Sequence, residues 1–261
     1  MKVYKYLKFD KGAECVLIDG TLKFTSPKEF NDPFDCRLNF NSKNAPQYFL
    51  NKFKSSFDEQ YGHLSPAEKL KKRKQIERML KIGLTDGSLV DNLLSHVGIC
   101  CFSKEPDNIL MWSHYAEHHK GIVIEFDVID TLDDTITVPS NFINNPEYNL
   151  MLSKVNYSMN MPTRTFRDET PTEASTMYFL TKAIDWEYEN EYRCISHEKG
   201  AGIHHFNREL ISRILAGVKM SATDFARLKE IVNTLSRSIG KDIPLIRATM
   251  LDGQYKLKVM P

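Results

Sequence analysis

The sequence predicts an α+β protein with a mixed, bent β-sheet and flanking helices. Strand-like segments occur near the start and in the middle of the chain, for example at residues 3–7, 97–102 and 122–127. Residues 21–25 also predict a strand, since they follow the turn signal Asp19-Gly20. In residues 46–96, by contrast, Lys, Glu, Leu and Met are frequent and there is little strand-like alternation. We therefore expect a single α+β domain over residues 1–261, with a helical insertion at about residues 45–96.

One helix of the predicted insertion has a clear start signal. Ser65 and Glu68 form a capping-box pattern, and Pro66 stands at the first helical position. We expect this helix to extend to about Ile82. The basic run 69–74 lies on it, and is either a solvated face or a contact with nucleic acid or an acidic partner.

The stretch 108–127 predicts a helix, a glycine turn and a buried strand. Asn108 is a suitable N-cap, and Gly121 is expected to end the helix. The β-branched run 122–127 then predicts a strand inside the sheet. Such an arrangement holds side chains on rigid elements, which suits a binding or catalytic site.

Composition excludes several classes of protein. The chain has 261 residues, 41% hydrophobic and 26% charged, which is typical of a soluble globular protein. The formal net charge of +1 gives no overall electrostatic preference for nucleic acid or membranes. We expect no membrane partner, since no apolar run of about 18 residues is present. The five Cys are odd in number and scattered, so we expect reduced thiols in a cytoplasmic protein and no metal site.

Common nucleotide and hydrolase motifs are absent from the sequence. It contains no G-x-x-x-x-G-K-[ST], no G-x-G-x-x-G and no G-x-S-x-G. A P-loop enzyme, a Rossmann dehydrogenase and an α/β-hydrolase are therefore not expected.

A charged cluster near residue 190 is the first candidate site. A strand through this segment would place Glu189, Glu191 and Arg193 on one face and Tyr192 on the other. The guanidinium would hold one carboxylate ionised. The cluster is either a surface ladder of opposite charges or a ligand-facing carboxylate that stabilises cationic charge.

The aromatic helix supplies further candidates. His114 and His118 share an i, i+4 spacing that can bind zinc, but no third ligand is evident. His114 and Tyr115 would instead form hydrogen bonds or stack in a pocket, unless they only pack. Trp112 is a core residue or a stacking platform.

Two earlier clusters complete the candidates. Tyr4, Lys5 and Tyr6 stand on the first predicted strand, while Asn31 and Asp32 precede Pro33. Asn31 and Asp32 either line the site or only fix a turn through side-chain to backbone hydrogen bonds.

Together these clusters resemble a bacterial and phage-associated family known only as a domain of unknown function. Its members share YKY, FNDPFD, MWxHYAxxHxG and KxxxWxxExEYR in this order. The sequence is similar at residues 4–6, 30–35 and 111–121, and again between Lys182 and Arg193.

The layout also resembles, more weakly, the ADP-ribosyltransferase fold. The triplet Glu189-Asn190-Glu191 is similar to the E-x-E of many such enzymes. The resemblance implies that Glu191 bonds the nicotinamide ribose and stabilises an oxocarbenium-like transition state. It implies that Glu189 orients or activates the acceptor. It also implies that His114, the third expected catalytic residue, holds the nicotinamide or its ribose.

The resemblance implies NAD as the substrate. The residues expected to contact NAD are Tyr4, Lys5, Tyr6, Asn31, Asp32, Trp112, Tyr115 and Arg193.

Three functions follow from the sequence as alternatives. The first is an NAD-dependent transferase that modifies a protein or nucleic acid, as a bacterial toxin or phage-defence effector with an antitoxin or defence partner. The second is an enzyme or binder directed at nucleic acid without NAD, in which His114, Lys5 and Arg193 surround a phosphate. The third is a non-catalytic sensor of a small ligand.

Overall fold

The computed structural model describes residues 1–37, 39–40, 45–129, 150–164 and 171–259. The chain forms two compact units. The first comprises residues 1–25, 98–155 and 185–261, and the second comprises residues 26–97 and 156–184.

The strands are short, with two to six residues each. In chain order they are β1 (Lys2–Leu7), β2 (Thr21–Phe24), β3 (Asn39–Phe40), β4 (Gly98–Ser103), β5 (Ile122–Asp127), β6 (Ser153–Lys154), β7 (Asn156–Ser158), β8 (Thr163–Arg164), β9 (Thr181–Ala183), β10 (Glu191–Ser196), β11 (Gly202–His205), β12 (Ile211–Ala216), β13 (Leu245–Arg247), β14 (Thr249–Met250) and β15 (Leu257–Lys258).

The helices vary more in length. They are α1 (Lys11–Ile18), α2 (Ala45–Lys52), α3 (Lys54–Tyr61), α4 (Pro66–Thr85), α5 (Ser88–Ser95), α6 (Ile109–Tyr115), α7 (Pro171–Phe179) and α8 (Ala222–Ile239). Short 3-10 turns cover Pro27–Glu29, Ile184–Glu189 and Arg208–Leu210.

The first unit is built on a seven-stranded sheet, counted over the described ranges. Its strand order is β13-β12-β5-β1-β4-β10-β6. The β12–β13 pair is parallel and the other neighbours are antiparallel. The sheet is therefore mixed and carries flanking helices, which confirms the predicted α+β class.

Strand alternation gives this sheet two differently covered faces. On one face, which we call the α8 face, Ile124 and Phe126 belong to one apolar cluster with Leu17 and Leu228. On the other, the α6 face, Tyr4, Tyr6, Val123 and Leu215 pack with Met111 and Trp112. The row of polar side chains described in the next section lies on the α6 face.

Helix α6 has the N-cap that the sequence predicts. The Asn108 side chain accepts hydrogen bonds from the backbone N–H groups of Leu110 and Met111. These contacts satisfy N–H groups that have no partner inside the helix. The cap thus fixes where Met111 and Trp112 enter the core.

The second unit contains helices α2–α5 and α7 together with two parallel strand pairs, β3–β8 and β7–β9. Helix α4 begins with the predicted capping box, in which Ser65 and Glu68 bond each other's backbone N–H groups. Helices α2–α5 fall in the segment expected to be a helical insertion. The assignment of the whole chain to a single domain stays a prediction.

Helix α1 was not predicted. Its first turn is capped by Asp10, whose side chain accepts from the backbone N–H groups of Gly12 and Ala13. Ala13, Val16 and Leu17 are buried on its inner side. Within the described ranges, no helix is long and apolar enough to span a bilayer.

Candidate functional site

A row of polar side chains crosses the middle of the sheet on its α6 face. The register places Arg213 opposite Glu125, Glu125 opposite Tyr4, Tyr4 opposite Ser103, and Ser103 opposite Glu191. The row thus spans five neighbouring strands, from β12 to β10. Glu125 and Glu191 are 1% and 3% exposed, so two carboxylates lie inside the protein.

At the β10 end of the row, Glu191 and Arg193 form a buried ion pair. Arg193 Nε donates to Glu191 Oε1 at 2.7 Å, and Nη2 donates to Oε2 at 3.1 Å. Arg193 is fully buried. The predicted alternative of a surface ladder is wrong, because such a ladder would be solvated. The two residues share one strand face as predicted, and Tyr192 points to the α8 face.

Glu189 lies beside this pair but not on the strand. It is the last residue of the 3-10 turn Ile184–Glu189, and Asn190 has a positive φ of 42° before β10 begins. The expectation that one strand carries Glu189, Glu191 and Arg193 is therefore wrong for Glu189. The Tyr115 hydroxyl donates to Glu189 Oε1 at 2.7 Å, so the carboxylate is nonetheless held by the aromatic helix.

Ser103 connects the row to the Glu189 segment. Its hydroxyl donates to the Glu189 carbonyl at 2.6 Å and lies 2.9 Å from the backbone N–H of Glu105, from which it accepts. Asn190 Nδ2 also donates to Glu105 Oε1 at 3.0 Å. The loop before α6 and the start of β10 are thus fixed to each other.

Tyr6 and Trp112 form the apolar floor next to the row. Their rings meet edge to face at 5.6 Å. Trp112 Nε1 donates to the Pro106 carbonyl, and the Tyr6 hydroxyl donates to the Glu105 carbonyl. Burial raises the pKa of Tyr6 well above its ordinary value, so the hydroxyl stays protonated. Both residues therefore act here as packing and positioning groups.

His114 and His118 do not share a helix face. Helix α6 ends at Tyr115, and Glu117, His118 and His119 all have positive φ. His114 is exposed, with its ring 6.3 Å from that of Tyr115. Among the residues that the structure describes, no group of three or more His, Cys, Asp and Glu could hold a metal ion.

The helix ends before Gly121, which contradicts the prediction that Gly121 stops it. Gly121 is needed for another reason: a Cβ there would lie 2.1 Å from the Leu7 carbonyl oxygen. Its N–H donates to the Ala116 carbonyl at 2.8 Å. A side chain at this position would push β5 away from β1.

Lys5 is not brought together with Tyr4 and Tyr6. It points to the α8 face, where its Nζ donates to the Cys101 carbonyl at 2.8 Å and lies 5.5 Å from the centre of the Phe102 ring. Burial lowers the pKa of Lys5, but its surroundings, which include the Glu191 carboxylate, raise the pKa by more. Lys5 is therefore a cation on the α8 face of the sheet and is not part of the row, which lies on the α6 face.

Asn31 and Asp32 belong to the second unit. Asp32 Oδ1 accepts from the backbone N–H of Phe34 at 2.9 Å, which is the turn-fixing role that the sequence allowed. Close by in sequence, the buried Asp35 carboxylate lies 3.7 Å from Lys182 Nζ. This pair joins two of the four motif regions within the second unit.

Sequence reasoning missed Glu125. Its carboxylate accepts from Lys2 at 2.8 Å and Ser212 at 2.7 Å, and forms an ion pair with Arg213. Burial raises the pKa of Glu125, but these hydrogen bonds and the Arg213 charge lower it by more. The available signal was a carboxylate with apolar neighbours on both sides in residues 122–126.

Burial and the two carboxylates of the row keep the neighbouring hydroxyl and thiol groups protonated. Burial raises the pKa of the Tyr4 hydroxyl and the Glu125 carboxylate raises it further, so Tyr4 stays neutral. Burial and the Glu191 carboxylate likewise raise the pKa of the Cys101 thiol. Neutral Tyr4 and Cys101 thus lie near the two carboxylates, in addition to the cations that pair with them.

The fold and this row define an α+β protein with a buried carboxylate site on one face of its sheet. Residues 111–194 match the model of a family described as "Protein of unknown function (DUF2971)". Over this segment, the match confirms the expected resemblance to a family of unknown function. Its segment includes Tyr115, Glu189, Glu191 and Arg193. No curated protein and no solved structure matches the chain significantly.

Proposed function

We propose that the chain is an enzyme that cleaves the nicotinamide–ribose bond of NAD and transfers ADP-ribose to a macromolecule. The observation that carries the proposal is the placement of Glu191. Its carboxylate is paired with Arg193 through two hydrogen bonds and has a second carboxylate, Glu189, two residues away. Such an activity would suit a toxin or a phage-defence effector.

The chemistry assigns different tasks to the two carboxylates. When the C1′–N bond breaks, nicotinamide leaves with the bonding electron pair and positive charge develops on the ribosyl C1′ and ring oxygen. The Glu191 anion would bond the ribose 2′-hydroxyl and stabilise that charge. Glu189 would accept the proton that the acceptor nucleophile loses as it bonds to C1′.

The proposal requires that substrate reach two nearly buried carboxylates. Glu189 and Glu191 are each 3% exposed. Three half-buried side chains lie next to these carboxylates. Tyr188 and Asn190 are neighbours in the sequence, and Tyr115 donates a hydrogen bond to Glu189. NAD binding would therefore have to displace one or more of these side chains.

The test follows nicotinamide released from NAD by mass spectrometry, with protein alone and with added lysate, RNA or DNA. Glu191→Gln is the test variant, and Glu187→Gln is its matched control because Glu187 is exposed on the preceding 3-10 turn. Circular dichroism establishes that both variants are folded.

We expect release by the unmodified protein and by Glu187→Gln, and a loss of at least about a hundredfold in Glu191→Gln, the scale of an electrostatic catalytic group. Release that persists in folded Glu191→Gln would remove the assignment of Glu191. Absence of release under every condition would remove the proposal as a whole.

A second candidate, binding to nucleic acid, is favoured by the surface of α4. This helix carries seven Lys and Arg and two Glu, a net charge of +5. Lys71, Lys74, Arg78 and Lys81 follow the spacing of one helical face, and all four are exposed. A basic stripe of this kind matches a phosphate backbone.

The salt dependence of binding tests this second candidate. For duplex DNA the slope of log K against log salt changes by about 0.9 for each phosphate contact. Replacing Lys71 and Lys74 by Gln should therefore reduce the slope by about 2. A slope that does not change would show that the stripe makes no phosphate contacts.

A further inference from the structure

The second unit contains a cavity that the proposed reaction does not use. It has a volume of about 340 Å³ and lies among α2, α4 and α5 with Arg164 and Tyr178 on its wall. Small-molecule sites in proteins commonly have volumes of about 300–1,000 Å³. The cavity is therefore large enough for a small organic ligand.

The charged groups of the wall are basic, as far as the described residues show. Lys52 and Arg164 line the cavity, together with His96. Among the described lining residues none is Asp or Glu. Arg164 is 8% exposed, and its Nη1 donates to the Tyr178 hydroxyl at 2.8 Å, so its guanidinium is held in a fixed position at the wall. A buried cation at a cavity wall favours an anionic ligand group.

The remaining wall is aromatic and aliphatic. The rings of Phe49 and Phe53 are parallel within 4°, with centres 6.3 Å apart, and Leu84, Leu89 and Val90 complete the apolar part. Phe53 is 53% exposed, so one side of its ring is open. Flat apolar side chains of this kind contact a planar ligand body over a large area.

Tyr48 connects the two basic residues at the wall. Lys52 Nζ donates to its hydroxyl at 3.1 Å and lies 5.4 Å from its ring centre. The Arg164 guanidinium lies 5.8 Å from the same ring. Both cations therefore contact the same ring, beside the cavity that both residues line.

From this wall we infer that the cavity binds a small organic anion with a planar aromatic body. A nucleoside monophosphate has both features and serves as the probe. The phosphate contacts Arg164 and Lys52, and the base lies against Phe49 and Phe53. The site is separate from Glu191 and does not depend on cleavage of NAD.

The test is calorimetric titration of the full chain with adenosine monophosphate and with adenosine. The two ligands share the planar body and differ in the phosphate. We expect the monophosphate to bind at least roughly tenfold more tightly, the change expected from one charge-assisted hydrogen bond.

Two variants locate the binding. Lys52→Gln and Phe53→Ala change exposed side chains on the cavity wall, so neither should unfold the protein. Each should weaken monophosphate binding by roughly threefold to tenfold, as expected for a partly exposed contact. Lys54→Gln, on the next helix and outside the cavity wall, should leave binding unchanged.

Three outcomes would overturn the inference. The first is no binding of the monophosphate, and the second is equal binding of adenosine. The third is an equal effect of Lys54→Gln and Lys52→Gln, which would indicate general attraction to a basic surface. None of these measurements uses nicotinamide release, so failure here is distinct from failure of the proposed reaction.

Discussion

Arg193 and Glu191, two residues apart on β10, form a two-point ion pair that is almost completely removed from water. The two parallel hydrogen bonds match the fork of a guanidinium to the two oxygens of a carboxylate. Removal of either partner would take this ion pair away from a buried charged side chain. The following predictions start from this relationship.

We predict that Arg193→Met destabilises the protein by about 3–5 kcal/mol, because it removes the two-point ion pair of the buried Glu191 carboxylate. The double variant Glu191→Leu/Arg193→Met should lose much less, since it removes both charges. Urea unfolding followed by circular dichroism measures both values. A double variant no more stable than the single one would contradict this explanation.

The Tyr115 hydroxyl should stabilise the fold through Glu189. We predict that Tyr115→Phe lowers the free energy of unfolding by about 1.5 kcal/mol, typical of a hydrogen bond to a charged group. The matched control is Tyr255→Phe, because Tyr255 is 95% exposed. Equal unfolding midpoints for the two variants would show that the hydroxyl contributes nothing measurable.

Gly121 should be intolerant of even one added methyl group. A Cβ there would lie 2.1 Å from the Leu7 carbonyl oxygen, which belongs to β1 and cannot easily move. We predict that Gly121→Ala costs at least about 3 kcal/mol. In Gly12→Ala, the nearest atom is 3.1 Å away on the Asp10 side chain, so this control should change stability little.

Glu125 should make stability depend on acidic pH. Its folded-state pKa is lowered below the ordinary value of 4.5 despite burial, by hydrogen bonds from Lys2, Ser212 and Arg213. A lowered folded-state pKa stabilises the protein above the unfolded-state pKa, and this stabilisation is lost as pH falls through the folded-state value.

The measurement compares unmodified protein with Glu125→Gln. The difference in unfolding free energy should be constant above about pH 6 and shrink as the pH falls below about 4.5. Glu198→Gln controls for removing a carboxylate from the surface, since Glu198 is exposed. A difference that grows toward acid would reverse the sign of the predicted effect.

Local patterns in the sequence were sufficient for many elements of the fold. The alternation of residues 3–7, the β-branched run 122–127 and the capping box at Ser65 each depend on neighbours a few residues away. Strand pairing, in contrast, depends on residues that are far apart in the sequence. The segment 21–25 was predicted as a strand, and β2 indeed forms there, but its partner is β11, about 180 residues later.

In the candidate site, too, local features could be predicted from the sequence and long-range contacts could not. The positions of Glu191 and Arg193 on one strand face followed from alternation, whereas their burial depends on the strands and helix packed around them. Glu189 was misplaced because the positive φ of Asn190 interrupts the strand. Glu125 was missed because its partners Lys2 and Arg213 come from opposite ends of the chain.

The polar row on the α6 face also bears on how the strands find their partners during folding. A slip of one residue in any of these strands turns its side chains to the other face. For β5 or β10 such a slip would drive Glu125 or Glu191 into the apolar cluster beneath α8. The cost of an unpaired charge there rejects the misaligned pairing. The row therefore favours a single register for each of these strands, because every other register is penalised by a buried charge.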